Sequence, residues 1–255
     1  MRLGIIQGRL SPPIEGFQEC PENWMREFNI LPELGLNHVD WIITSESFDD
    51  NPIFKEDVSN LPINSICADN LVDSRIFDKT FLKDNLFPIY NAAKKNNIQS
   101  ITIPLLEGSD INDKQKRNIF CSNIMDVTEK WNDIFFSFEA ECPAPTLREV
   151  VDLRDNFFVT YDTGNITSRG LDHTEYVSRL IDKIDNVHLK DRTYDFQTVY
   201  PLEGNTEFYK IFKVLKETCY SGVYTLQTAR GASGKEKETI MNHKNIFKEI
   251  HEQTI

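Results

Sequence analysis

Along the chain, short runs in which alternate residues are apolar or β-branched are followed by stretches with apolar residues at helical spacing. The strand-like runs are LGIIQ (3–7), HVDWII (38–43), INSICA (63–68), SITIPLL (100–106), IFFSFEAE (134–141), FFVTYD (157–162), NVHLK (186–190) and VYTLQ (223–227). Amphipathic stretches such as NWMREFNILPEL, DNLFPIYNAAKKN, TEYVSRLIDKI and TEFYKIFKVLKET lie between them, and KETIMNHKNIFKEIHEQ closes the series. Strands alternating with helices predict a parallel sheet. Eight such units in 255 residues match the size of an α/β protein of the (β/α)8 barrel kind, with residues 1–255 as one domain. A doubly wound open sheet is the competing architecture, but its G-x-G-x-x-G fingerprint is absent. Pro12-Pro13 and the stretches 108–114 and 193–206 are expected as loops at the strand ends.

Alternation also sorts each strand into two faces. In the fifth run Phe136, Phe138 and Ala140 form the apolar set, which leaves Ser137, Glu139 and Glu141 for the barrel axis. The same parity turns Thr160 and Asp162, then Asn186, His188 and Lys190, then Thr225 and Gln227, toward the axis. Glu139, Asp162, His188 and Gln227 are therefore expected near the C-terminal ends of four consecutive strands. A carboxylate such as Asp162 at the end of an apolar strand is costly unless paired. A basic neighbour or a hydrogen-bonded network would satisfy it; so would one divalent ion of the Mn, Mg, Zn or Co kind, which suits two carboxylates, an imidazole and an amide oxygen.

Composition narrows the partners. A net charge of −12 and a sequence pI near 4.9 argue against nucleic acid and anionic membrane, because a polyanion needs neutralising cations. The five cysteines are scattered without C-x-x-C spacing, as expected of reduced thiols in a cytoplasmic protein. No apolar run approaches the ~18 residues of a spanning helix. A homo-oligomer is left open.

At these same residues the sequence resembles the sugar phosphate isomerase/epimerase group of xylose-isomerase-like TIM barrels. The resemblance is carried in order by GIIQGRLSP, WMREF, LGLNHVDWI, SICADN, FEAE, YDTGN, VHLKDR, PLEGNTEF and YTLQTARG. It implies one divalent metal held by Glu139, Asp162, His188 and Gln227, and chemistry at the carbon next to the carbonyl of a small sugar or sugar phosphate. Related ketose epimerases use two metal-bound glutamates as an acid/base pair. Gln227 departs from that pattern, since an amide cannot carry a proton at neutral pH.

Glu139 is the expected base, and Lys190 a candidate for the second proton or, with Arg192, for substrate oxygens. Gln7, Arg9, Asp69, Glu107 and Arg230 are expected to line the mouth and bind substrate. Asp40 stands where the related proteins usually carry glutamate and is given no catalytic role. Asp191 and Glu203 are expected as solvated loop carboxylates, Trp24 and Trp41 as core, and His38, His173, His243 and His251 as surface residues. A three-metal endonuclease of the apurinic type, rich in mouth histidines, does not fit this sequence. A dehydratase on the same barrel, or a barrel that binds a metabolite without turning it over, are the other readings.

Overall fold

The computed structural model describes residues 1–12 and 20–254; Pro13 of the expected Pro12-Pro13 loop lies outside them. The barrel strands are β1 (Leu3–Ile6), β2 (Val39–Ile42), β3 (Ile63–Cys67), β4 (Ser100–Leu105), β5 (Phe135–Ala140), β6 (Phe157–Asp162), β7 (Ile184–Leu189) and β10 (Val223–Leu226). The helices are α1 (Met25–Leu34), α2 (Pro52–Lys55), α3 (Lys79–Lys95), α4 (Lys114–Thr128), α5 (Ala144–Val151), α6 (Thr163–Ser168), α7 (His173–Leu180), α8 (Phe208–Glu217) and α9 (Glu236–Gln253). A two-stranded hairpin, β8 (Asp191–Arg192) with β9 (Thr198–Val199), fills part of the expected 193–206 loop.

All eight barrel strands pair in parallel, and β10 closes on β1. This is the (β/α)8 TIM barrel that the alternation predicts. Helix starts follow local chemistry: the carboxylates of Asp78, Asp113 and Asp172 accept backbone N–H bonds at the first turns of α3, α4 and α7. Gly35 ends α1 in the left-handed region at φ 60°, where a side chain would be strained.

Outward-facing residues bury against the helix ring. Trp41, Phe136, Phe138, Phe157 and Tyr161 are essentially inaccessible, and Phe138 stacks edge-on against Phe120 of α4. Burying each such ring fully is worth roughly 1.5–3 kcal/mol. The lumen differs from this shell. Ile6, Ile42 and Cys67 make a small apolar cluster on one side, while the side from β4 to β7 and β10 carries Thr102, Ser137, Glu139, Thr160, Asp162, His188 and Thr225, all buried.

Two bulges modify the parity. Between β6 and β7 the register passes from Val159↔Ile184 to Thr160↔Asn186, so Asp185 is an extra residue. Its carboxylate accepts bonds from Ser137 Oγ at 2.6 Å and Ser100 Oγ at 3.4 Å. Strand β7 thus starts two residues before the expected 186. Between β2 and β3 the register passes from Val39↔Ile63 to Asp40↔Ser65, which leaves Asn64 as the extra residue. Such insertions re-aim side chains without ending the sheet.

Three of the histidines expected at the surface are buried instead. His38 packs under Gly4, where a Cβ would lie 2.2 Å from its ring. His173 is held between the hydroxyls of Tyr161 and Thr167, and His243 meets Thr228 Oγ1. Local polarity gave no sign of these hydroxyl partners, which stand six to fifteen residues away along the chain. Asp191 also departs from expectation. It is fully buried, accepting backbone N–H bonds from Gly204 and Thr206 that fold the segment after the hairpin.

Candidate metal centre

Asp162 ends β6 and opens α6, and its two oxygens do different work. Oδ1 caps α6 by accepting the Asn165 N–H at 2.8 Å, while Oδ2 lies 2.7 Å from the Lys190 ammonium. Gly164 makes this pairing possible, since a Cβ there would stand 2.9 Å from Lys190 Cγ. Burial opposes ionisation of Asp162, but Lys190, with Arg192 and His188, outweighs it and holds the carboxyl below its usual range. The strand-end carboxylate is thus already paired with one cation. Its neighbours ask for another.

One ligand atom each from Glu139, Asp162 and His188 falls within 4.8 Å of the others, and all three residues are buried. Glu139 Oε1 accepts from Asn165 Nδ2 at 2.7 Å, and Oε2 lies 3.4 Å from His188 Nδ1. Gln227 Oε1 stands 3.1 Å from the same Nδ1. On the other side of the ring, Nε2 faces Asp40 Oδ2 at 3.2 Å. Asn186 Nδ2 also lies 3.2 Å from Nε2, but it already donates to the same Asp40 oxygen at 2.8 Å; each ring nitrogen thus has an accepting oxygen in reach, while a neutral imidazole has one N–H to give. The ring must either take a second proton or offer the Nδ1 lone pair to a metal. Burial resists the first, but the hydrogen bonds to Asp40 and Glu139 prevail and push the His188 pKa up to about 10.

This donor set fits a divalent ion, which would replace the second ring proton: one imidazole nitrogen, two carboxylates and an amide oxygen converge there. Glu139, Asp162, His188 and Gln227 are the residues that would hold it. Glu139 and Gln227 line a cleft of about 590 Å³, together with Arg9, Asp69, Glu107, Lys190, Arg192 and Arg230, while Asp162 and His188 are buried behind that lining.

The expected mouth residues are distributed unevenly. Asp69 is half-buried in the cleft, and burial followed by the nearby Glu139 raises its pKa to about 7. Glu107 is exposed at the rim. Arg192 donates to Glu141 Oε1 at 3.2 Å, and Arg169 grips the same carboxylate from the other side. Arg230 binds the carbonyls of Gly8 and Ser11, tying down the segment after β1. Gln7 is fully buried beneath the cleft, its Oε1 accepting from Ile42 N at 3.1 Å.

Three features were absent from the sequence reading: Asn165 as the support of both carboxylates, Asp40 as the partner of His188, and Glu141 as the anchor of two rim arginines. Asn165 could have been found, because it stands three residues after a strand-ending aspartate, at capping distance.

The family described as xylose isomerase-like TIM barrel matches residues 138–249, a segment that contains all four donors. No curated protein sequence matches significantly. Among solved structures, a zinc-bound IOLI protein superposes with TM-score 0.74 at 14% identity, covering 100% of this chain and 99% of its own. An L-ribulose 3-epimerase gives 0.74 at 13%, with 99% and 95% covered. The 3-keto-D-glucoside 4-epimerase YcjR of E. coli gives 0.71 at 15%, with 98% and 99% covered. Among the described residues, no helix is long and apolar enough to cross a membrane.

Proposed function

We propose that this chain, a xylose isomerase-like TIM barrel, is a divalent-metal-dependent isomerase or epimerase acting on a small sugar, sugar phosphate or related hydroxy-carbonyl compound. The observation that carries the reading is the convergence of Glu139, Asp162 and His188 within 4.8 Å, with Glu139 opening on the cleft. The zinc in one structural relative and the epimerase activities named for two others support it.

A bound divalent ion supplies Lewis-acid polarisation of a substrate carbonyl. Glu139 is the base: with Oε1 held by Asn165, its Oε2 takes the proton from the carbon next to that carbonyl. The C–H electron pair moves into the substrate, which becomes an enediolate. A group of this chain then returns a proton to carbon. Gln227 cannot. Lys190 and Asp69 both line the cleft, and Asp69, with its pKa raised to about 7, holds a proton in a substantial fraction of molecules at neutral pH. Arg9, Arg192 and Arg230 line the same cleft and offer guanidinium donors to substrate oxygens or a phosphate.

The test is exchange of the substrate α-proton in deuterated water, followed by NMR over a panel of keto sugars and their phosphates with added Mn²⁺. Wild type exchanges at least one substrate, and Glu139→Gln slows that exchange by roughly 10²–10⁴-fold. Equal rates would remove Glu139 from the mechanism. A second reading, a barrel that binds a metabolite without converting it, is favoured by the untitratable amide of Gln227. It predicts metal-dependent ligand binding with no exchange in wild type.

A further inference from the structure

Asp40 lies on β2, across the lumen from the proposed donors, and is completely inaccessible to substrate. It accepts from Asn64 Nδ2 at 3.0 Å through Oδ1 and from Asn186 Nδ2 at 2.8 Å through Oδ2. Both donors come from bulges: Asn64 is the extra residue of β3, and Asn186 follows the extra residue of β7. The orientation of Asn186 is fixed in turn, because its Oδ1 accepts from Thr225 Oγ1 at 3.1 Å. His188 Nε2 lies 3.2 Å from Oδ2 and 3.2 Å from Asn186 Nδ2, whose shorter bond is the one to Oδ2.

An ionised carboxylate can only accept, so this arrangement puts the ring proton on Nε2 and leaves Nδ1 for the cleft. The four donors facing the cleft carry two formal charges, on Glu139 and Asp162, because His188 and Gln227 are neutral ligands. A third negative charge stands directly behind the imidazole. We infer that Asp40 is a positioning residue that aims His188 Nδ1 at the metal position and supplies, from behind the ring, the charge that the carboxamide of Gln227 does not. A carboxylate behind a ligating histidine fixes its tautomer and raises its basicity.

The inference rests on the metal reading proposed above, and zinc titration by calorimetry separates the two. Wild type is compared with Asp40→Asn, with Asp185→Asn as a control for a hydrogen-bonded, half-buried carboxylate of the same lumen, and with Gln227→Glu alone and combined with Asp40→Asn. The expected result is a zinc affinity lowered roughly 10–100-fold in Asp40→Asn and unchanged in Asp185→Asn. The loss is smaller in the Gln227→Glu background, where the added carboxylate provides the charge directly. ¹⁵N-histidine NMR of the zinc-loaded protein should show His188 bound through Nδ1 in wild type and a mixture in Asp40→Asn.

If Asp40→Asn does not fold, Asn64→Ala removes one of the donors that hold Asp40 and should weaken zinc several-fold. Zinc binding in wild type with unchanged affinity in Asp40→Asn, or equal losses in Asp40→Asn and Asp185→Asn, overturns this inference alone. No zinc binding by wild type overturns the metal reading, and this inference falls with it.

Discussion

The lumen of this barrel holds two polar clusters, one above the other, built around buried carboxylates in the upper and the half-buried Asp185 in the lower, and they solve the same electrostatic problem in opposite ways. In the lower one, Asp185 meets the hydroxyls of Ser137 and Ser100, and the chain continues through Thr160 to Thr102. Every acceptor there has a donor. In the upper one, Glu139, Gln227 and Asp40 surround one imidazole, and acceptors outnumber protons. A carboxylate in the lumen is therefore not a site in itself. What marks the upper cluster is the excess of acceptors, together with the cleft above it.

The largest expected effect separates the two directly. Asp162→Asn should weaken divalent-metal binding by more than roughly 100-fold, since losing an outer partner of a metal site alone costs 10–100-fold. The corresponding change in the lower cluster should leave metal affinity intact. Calorimetric titration of both variants with Zn²⁺ or Mn²⁺ checks this, and equal losses would erase the distinction.

His173 sharpens the comparison from outside the lumen. Like Asp185, it is satisfied by hydroxyls, and burial lowers its pKa to about 4. Its folded pKa lies below the unfolded value near 6.5, so the unfolded chain binds more protons between these values and stability rises with pH across that window. Acidification from pH 6.5 to 4 should remove on the order of 3 kcal/mol through this residue, at about 1.4 kcal/mol per unit. Denaturant melts of wild type and His173→Gln should show a shallower pH dependence in the variant; parallel curves would contradict the assignment.

A smaller effect is expected from Gln227→Glu. It adds a charge to the upper cluster, and a unit charge 4 Å from a cation is worth at least ~1 kcal/mol even in water. Zinc affinity should therefore rise roughly fivefold or more. A fall would mean that Gln227 does not face the metal position.

The smallest effect belongs to the lower cluster. Burial raises the Asp185 pKa to about 6, above its ordinary value, so the folded state holds the proton more tightly and stability declines as pH rises from about 4 to 6. Asp185→Asn removes that cost. The variant should melt a few degrees higher than wild type at pH 7, as a gain of order 1 kcal/mol implies, with the gain vanishing below pH 4. An equal gain at both pH values would point to packing instead of charge.

The barrel was legible because its signal is local. Alternation of apolar and polar residues places most strand ends within one residue, and the axis-facing parity of Glu139, Asp162 and His188 follows from it. Features set by a partner strand were not legible. The bulges at Asn64 and Asp185 depend on register between strands, and they supply one donor to Asp40 and the carboxylate of the lower cluster. The burial of His38 depends on a missing Cβ at Gly4, and that of Asp191 on backbone amides about a dozen residues later. For Asp162 the sequence alone allows a basic neighbour, a network or a metal. The geometry supplies Lys190 on one oxygen and brings one ligand atom of Asp162 within 4.8 Å of Glu139 and His188.

The most direct test of the central claim is the metal content of purified protein by elemental analysis, after dialysis against trace Mn, Zn, Co and Mg, with His188→Ala treated in parallel. The account predicts one equivalent of divalent metal per chain in wild type and its loss in the variant. Wild type with no metal, or the same content in both proteins, would contradict it.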